Sequence, residues 1–181
     1  MSRDEARAFN ASGLKELLDE VDGVLGPGEP ISVVACGGAV MLLKYDIRRT
    51  NDVDIISEPF PEELQQAARE VAQRHRLRDD WINDAAKMSI PKLAPRFETL
   101  YRGRRLQVLS PGAHFILAMK LAAGREVDFE DAVRLVREIG YGDVDQVLDL
   151  VDQAWGHTSL SMSVEYFTRA VFEEAVADRE P

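Results

Sequence analysis

The 181 residues hold only one cysteine, three histidines and two tryptophans. The lone cysteine, Cys36, lies inside an apolar run and can form no internal disulfide, which suits a reducing cytosol. His75, His114 and His157 are scattered and match no zinc spacing. No apolar run approaches the roughly 20 residues needed to cross a bilayer. The opening stretch MSRDEARAFN has no apolar h-region, so no signal peptide is read there. Repeats and low-complexity segments are also missing. Positive charge is in short supply: 22 Lys and Arg face 32 Asp and Glu, giving a net charge of −10. That balance argues against non-specific coating of nucleic acid, although Arg48–Arg49, Arg74 to Arg78, and Arg102, Arg104 and Arg105 form positive islands. The expectation is a cytoplasmic chain with no membrane partner.

What is present is the composition of a folded chain, 45% apolar and 30% charged, long enough for one domain or a domain with a helical extension. Leu14, Leu17, Leu18 and Val21 recur at helical spacing and predict a helix over about 13–24. Gly26-Pro27-Gly28 breaks it. Ile31–Cys36 reads as a buried strand, Gly37-Gly38 as a turn, and 39–44 as a short helix. A second strand follows over 52–56, and Pro61-Glu62-Glu63 opens a helix burying Leu64, Ala67, Ala68 and Val71. Trp81 and Ile82 read as buried within a stretch that Pro91 and Pro95 interrupt. Segments 97–101 and 106–109 predict a hairpin around Arg102-Gly103. Four helices follow. The first is N-capped by Ser110 with Pro111 at its first position. The others start near Asp128, near Asp143 and near 163. The fold class is α+β: a small mixed sheet in 1–110 and a helical C-terminal part in 111–181 packed on it as one unit.

Two aspartates, Asp52 and Asp54, stand at the head of the apolar run VDII. A D-x-D pair alone means little, because sixteen aspartates make roughly one or two such pairs by chance. Asp143 and Asp145 are one, at a helix start where carboxylates cap N–H groups and need no chemistry. Asp52 and Asp54 differ because they precede a strand. Residues i and i+2 of a strand share a face, roughly 6–7 Å apart, so the two carboxylates converge. Unpaired, they would repel and one would take up a proton. An oxygen-only donor set with no histidine or cysteine nearby matches a hard cation, Mg²⁺ or Mn²⁺. Gly37-Gly38 joins a strand end to a helix start, where glycine permits close approach and free N–H groups favour anions such as phosphate. A phosphate cradle beside a metal-binding acid pair is equipment for phosphoryl or nucleotidyl transfer.

The string "GGAV…RRTNDVDII" resembles the nucleotidyltransferase superfamily of DNA polymerase β-like fold, and most closely its small bacterial branch related to abortive-infection and toxin–antitoxin nucleotidyltransferases. "SPGAHFILAMKLAAGREVDFEDAVRLVREIG" is similar to that branch's helix pair. The resemblance spans roughly 31–140. It implies that Gly37 and Gly38 contact nucleotide phosphates and that Asp52 and Asp54 hold the metal. It also implies that Lys120 and Arg125 neutralise the triphosphate, that Asp131 orients the lysine or completes the acidic cluster, and that Arg49 and Thr50 reach the phosphates. Plainer readings stand beside these: Lys120 as a solvated helix residue, Asp131 as capping partner of Asp128, Arg125 as a charge at a helix C-terminus. "WINDAAK" resembles a segment of the same branch, which implies Asn83, Asp84 and Lys87 along the cleft.

The resemblance further implies a nucleoside triphosphate as donor and an acceptor hydroxyl on RNA or tRNA. It suggests an antitoxin protein as partner, the chain being the toxin of a toxin–antitoxin pair. Many members carry a third carboxylate on a later strand. In "RRLQVLSP" its expected place holds Gln107, which is a poor base, and Glu98 is the alternative. A non-catalytic nucleotide- or partner-binding module of the same fold is therefore the rival expectation.

Overall fold

The computed structural model describes residues 8–57, 59–88, 90–156 and 161–177; His157 lies outside them. The chain packs as two compact units, Met1–Met88 with Phe97–Pro111, and Ser89–Arg96 with Gly112–Pro181. Segment 89–96, grouped by sequence with the sheet, thus belongs to the helical unit. Its tie there is the Lys92 N–H, which donates to the Ala154 carbonyl at 2.6 Å.

In the first unit, α1 (Ala11–Leu25) starts where the Asn10 side chain accepts from the Gly13 N–H, and it buries Leu14, Leu17, Leu18 and Val21 as the spacing predicts. The strands are β1 (Ile31–Cys36), β2 (Val53–Ile56), β3 (Ile82–Asn83), β4 (Glu98–Arg102) and β5 (Leu106–Ser110), in the sheet order β3-β2-β1-β5-β4. The sheet is mixed: β1 runs antiparallel to β2 and parallel to β5. Helices α2 (Gly37–Tyr45) and α3 (Glu62–His75) follow β1 and β2. The α+β class with a small mixed sheet is as the sequence pattern predicts.

Strand alternation sorts the two faces. Val33, Ala35, Val53, Ile55, Leu106 and Val108 form the buried face. Tyr101, register partner of Val108, donates its hydroxyl to Asp19 of α1 at 2.7 Å, which sets α1 over this face. The Trp81 indole, fully buried, donates to the Ala68 carbonyl of α3. A buried acid completes the clamp: Asp22 of α1 accepts the N–H groups of Arg104, Arg105 and Leu106 at 2.7–2.8 Å and holds the β4–β5 turn. Burial pushes the Asp22 carboxyl up, but these three donors and the Arg104 charge outweigh it and hold it below the ordinary carboxylate value.

The second unit holds α4 (Ala113–Ala123), α5 (Phe129–Ile139), α6 (Val144–Trp155) and α7 (Met162–Ala177). Ser110 does not cap α4. It ends β5, paired with Glu98, and Gly112 at φ 95° takes the cap position. The ladder bond to β4 wins over the capping signal in Ser-Pro. Asp143 does cap α6, accepting from the Asp145 N–H at 3.0 Å, so the second D-x-D is structural. Phe129 and Phe167 meet edge to face, linking α5 to α7. Trp155, read from sequence as core, is half-buried. None of the described helices is long and apolar enough to cross a membrane.

Candidate active site

The half-open face of the sheet carries Ser32, Val34, Asp54, Ile56, Gln107 and Leu109. Cys36 ends β1 directly opposite Asp54, and Gly37 begins α2 with φ 63°, a left-handed value that favours glycine. A Cβ on Gly37 would stand 3.1 Å from Asp54 Oδ2. One on Gly38 would stand 2.9 Å from Thr50 Oγ1 and 3.6 Å from an Arg48 guanidinium nitrogen. The Thr50 hydroxyl in turn lies 3.0 Å from Asp52 Oδ1. Asp54 thus stands at Gly37, and Arg48 and Thr50 at Gly38, with Asp52 reached through the Thr50 hydroxyl. Asp52 sits one residue before β2 and is exposed, whereas Asp54 is within the strand and half-buried. The Cys36 thiol is pushed up to about 12, first by burial and then by the Asp54 charge. It is no nucleophile.

Arg49 goes elsewhere. It lines a cavity of about 400 Å³ together with Phe9, Gly13, Glu16 and Glu20 and with His75 at the end of α3. Arg48 and Thr50, two residues apart, both stand beside Gly38, while Arg49 between them lines this cavity, the alternation of an extended segment. The sequence pattern did not single out Arg48, although the same alternation from Thr50 points to it. The remaining islands are largely neutralised. Arg74 pairs with Glu70, Arg78 with Asp80, Arg104 with Asp22 and Arg105 with Glu63.

Asn83 stands in register with Asp54, but its side chain turns back to accept from the Ala85 N–H at 2.9 Å. The side chain of Lys87 lies outside the described set. The strand register also relocates the missing third acid. Gln107 pairs with Ser32, four residues down β1 from Cys36, roughly 16 Å from Asp54 by strand rise and spacing. Its amide contacts Ser32 and Thr99. The β5 residue nearest the acid pair on this face is Leu109, register partner of Val34 and roughly 12 Å away. Glu98 is bound to Lys44 at 2.6 Å.

In the second unit, Lys120 Nζ donates to Asp128 Oδ1 and to Asp131 Oδ2, both at 2.7 Å, with the lysine only 4% exposed. Arg125, on the exposed side, donates to Asp128 Oδ2 at 2.6 Å. Lys120, Asp128 and Asp131 form a buried ion-pair network that Arg125 joins from the exposed side. Burial pushes the Asp128 carboxyl up, but Lys120 and Arg125 outweigh that and hold it below its ordinary value. Asp128 gives α5 no side-chain cap; its oxygens bond the two cations instead. Asp131 and Asp128 hold the buried Lys120 ammonium between them.

A family model described as "Nucleotidyltransferase of unknown function (DUF6036)" matches residues 12–170. The chain belongs to this nucleotidyltransferase family. No curated protein and no solved structure matches it significantly.

Proposed function

We propose that the chain is a metal-dependent nucleotidyltransferase, moving a nucleoside monophosphate from a nucleoside triphosphate to an acceptor hydroxyl. One observation carries the reading: the acid-bearing end of β2 packs directly on the glycine turn that opens α2, with Asp54 Oδ2 3.1 Å from where a Gly37 side chain would begin. The donor set fits Mg²⁺ or Mn²⁺. The Asp52 and Asp54 carboxylates offer oxygen donors. Asp52 and Asp54 would therefore supply two ligands and leave the rest to water and phosphate oxygens, as hard divalent cations prefer. Such a cation neutralises charge on the phosphates and on the attacking oxygen. The N–H groups of α2 and the Arg48 guanidinium would bind the phosphate tail.

Net charge −10 and the neutralised arginines favour an acceptor other than long nucleic acid. A structured RNA end such as tRNA, and a toxin role with an antitoxin partner, stay within the reading through the family likeness. The second reading, a nucleotide-binding module without transfer, is favoured by Leu109 where a base would stand. The test mixes protein, Mg²⁺ and each α-labelled triphosphate with total RNA or lysate. Transferred label that disappears in Asp52→Ala/Asp54→Ala supports transfer. Label that persists in that variant refutes the site. Mg²⁺-dependent nucleotide affinity without transfer supports the binding module.

A further inference from the structure

Asp52 is the less constrained of the two acids. It precedes β2, it is exposed, and no ion pair to it is formed among the described residues. The main chain on either side is pinned. The Thr50 carbonyl accepts from the Phe9 N–H at 2.7 Å, and the Val53 N–H donates to the Trp81 carbonyl at 2.6 Å. Phe9 and Trp81 themselves meet edge to face at 5.8 Å. What the main chain leaves undetermined is the rotation of the Asp52 side chain. The Thr50 hydroxyl is placed to set it. Thr50 is 7% exposed between two exposed neighbours. Its one proton has two acceptors in reach, Asp52 Oδ1 at 3.0 Å and the Asp52 carbonyl at 3.1 Å. Both belong to the same residue. On the other side, Thr50 Oγ1 and Cβ sit 2.9 and 3.2 Å from the Gly38 Cβ position, so the absence of a side chain at residue 38 is what lets the hydroxyl stand there.

We propose that Thr50 is a positioning residue, its hydroxyl holding the Asp52 carboxylate beside the Gly37-Gly38 turn in the orientation that receives a hard divalent cation. This rests on the reading of the acid pair as a cation site. It replaces the expectation that Thr50 contacts phosphate, because a hydroxyl that gives its proton to Asp52 has none to give a phosphate oxygen. The free oxygen lone pairs would only repel one.

The experiment titrates the full chain with Mn²⁺ and reads free Mn²⁺ by electron paramagnetic resonance, which requires no turnover. Thr50→Val, equal in shape and lacking the hydroxyl, is expected to bind Mn²⁺ about tenfold more weakly, the usual effect of removing a group that orients a ligand. Thr50→Ser is expected to restore the affinity, with melting temperatures of the variants compared alongside. Thr50→Ala reads the same quantity should the valine variant not fold. Wild-type Mn²⁺ affinity in Thr50→Val or Thr50→Ala overturns the proposal. So does loss of metal-free triphosphate binding with Mn²⁺ affinity intact, which would make Thr50 a phosphate ligand. Wild-type protein that binds no Mn²⁺ defeats the cation reading itself, a result distinct from either.

Discussion

Replacing Lys120 with methionine keeps length and apolar stem while deleting the charge on which Asp128 and Asp131 both close at 2.7 Å. Asp128 retains Arg125; Asp131, 3% exposed, loses its ion pair with Lys120. Breaking a buried ion pair by removing one partner costs about 3–5 kcal/mol. An independent bound comes from protonation. A carboxylate that loses a buried cation can at most take up a proton, which at about pH 7 costs roughly 3 pH units at 1.36 kcal/mol each, or about 4 kcal/mol. The two figures agree, so Lys120→Met should lose about 4 kcal/mol in urea unfolding near neutrality. The sign of its pH dependence is diagnostic. If the deficit is met by proton uptake, it shrinks by up to about 1.4 kcal/mol per unit as pH falls toward 4. In the wild type, Asp22 and Asp128 are held below 3.8, so stability is present above that value and is lost as pH falls through the folded values. The difference between the two proteins should therefore narrow on acidification. The triple variant Lys120→Met/Asp128→Asn/Asp131→Asn should recover much of the loss. A Lys120→Met protein as stable as wild type at neutral pH, with weakened triphosphate binding, would refute the closed network and return Lys120 to the role of phosphate ligand.

Arg48→Ala should weaken triphosphate binding about tenfold or more, the scale of one charge-assisted hydrogen bond, while Arg49→Ala leaves it unchanged; fluorescence titration with a labelled triphosphate distinguishes them, and the reverse result would reject the assignment by alternation. Thr168 is fully buried with a hydroxyl that meets no partner among the described residues, so Thr168→Val should raise unfolding stability by about 1 kcal/mol, and a loss would mean that a bonded water occupies the site. Cys36 is buried with its thiol pushed to about 12, so iodoacetamide at mildly alkaline pH should label the protein only after denaturation; rapid labelling of the native chain would contradict that environment.

How far the sequence spoke depended on whether a feature was periodic. The apolar stripe of α1, the alternation in β1 and β2 and the glycine stops of α4 and α5 follow rules of spacing, and the structure matches them. Asp22 could not be read this way. It adjoins Val21 in a helix, and only the arrival of the β4–β5 turn, more than eighty residues on, gives its carboxylate three N–H partners. The burial of Lys120 was not legible either. Its spacing to Asp128 and Asp131 is visible, yet burial decides whether a cation so placed serves a ligand or its own fold, and burial belongs to tertiary packing. Register is the third limit. The missing acid was sought at Gln107 because that residue interrupts an apolar run, but the parallel alignment of β5 on β1 sets Gln107 beside Ser32 and Leu109 beside Val34.

That register bears on which of the two functional readings survives. A base for an acceptor hydroxyl must come within hydrogen-bond reach of it, and β5 presents leucine at the nearest position on the acid-bearing face. Leu109→Asp therefore tests both readings at once. Its carbon frame is half-buried, so a carboxylate there stays partly solvated, and the cost to the fold should stay within the ordinary range of about 0.5–3 kcal/mol. If the wild type transfers nucleotide and Leu109→Asp accelerates it, with the gain appearing as pH rises through the new carboxyl, the site is an active enzyme that works without a strand-borne base. If the wild type binds triphosphate without transferring it and Leu109→Asp confers transfer, the binding module is the correct reading, one carboxylate short of catalysis. A variant that folds, binds triphosphate as the wild type does and changes transfer in neither direction would refute the inference that Leu109 occupies the base position.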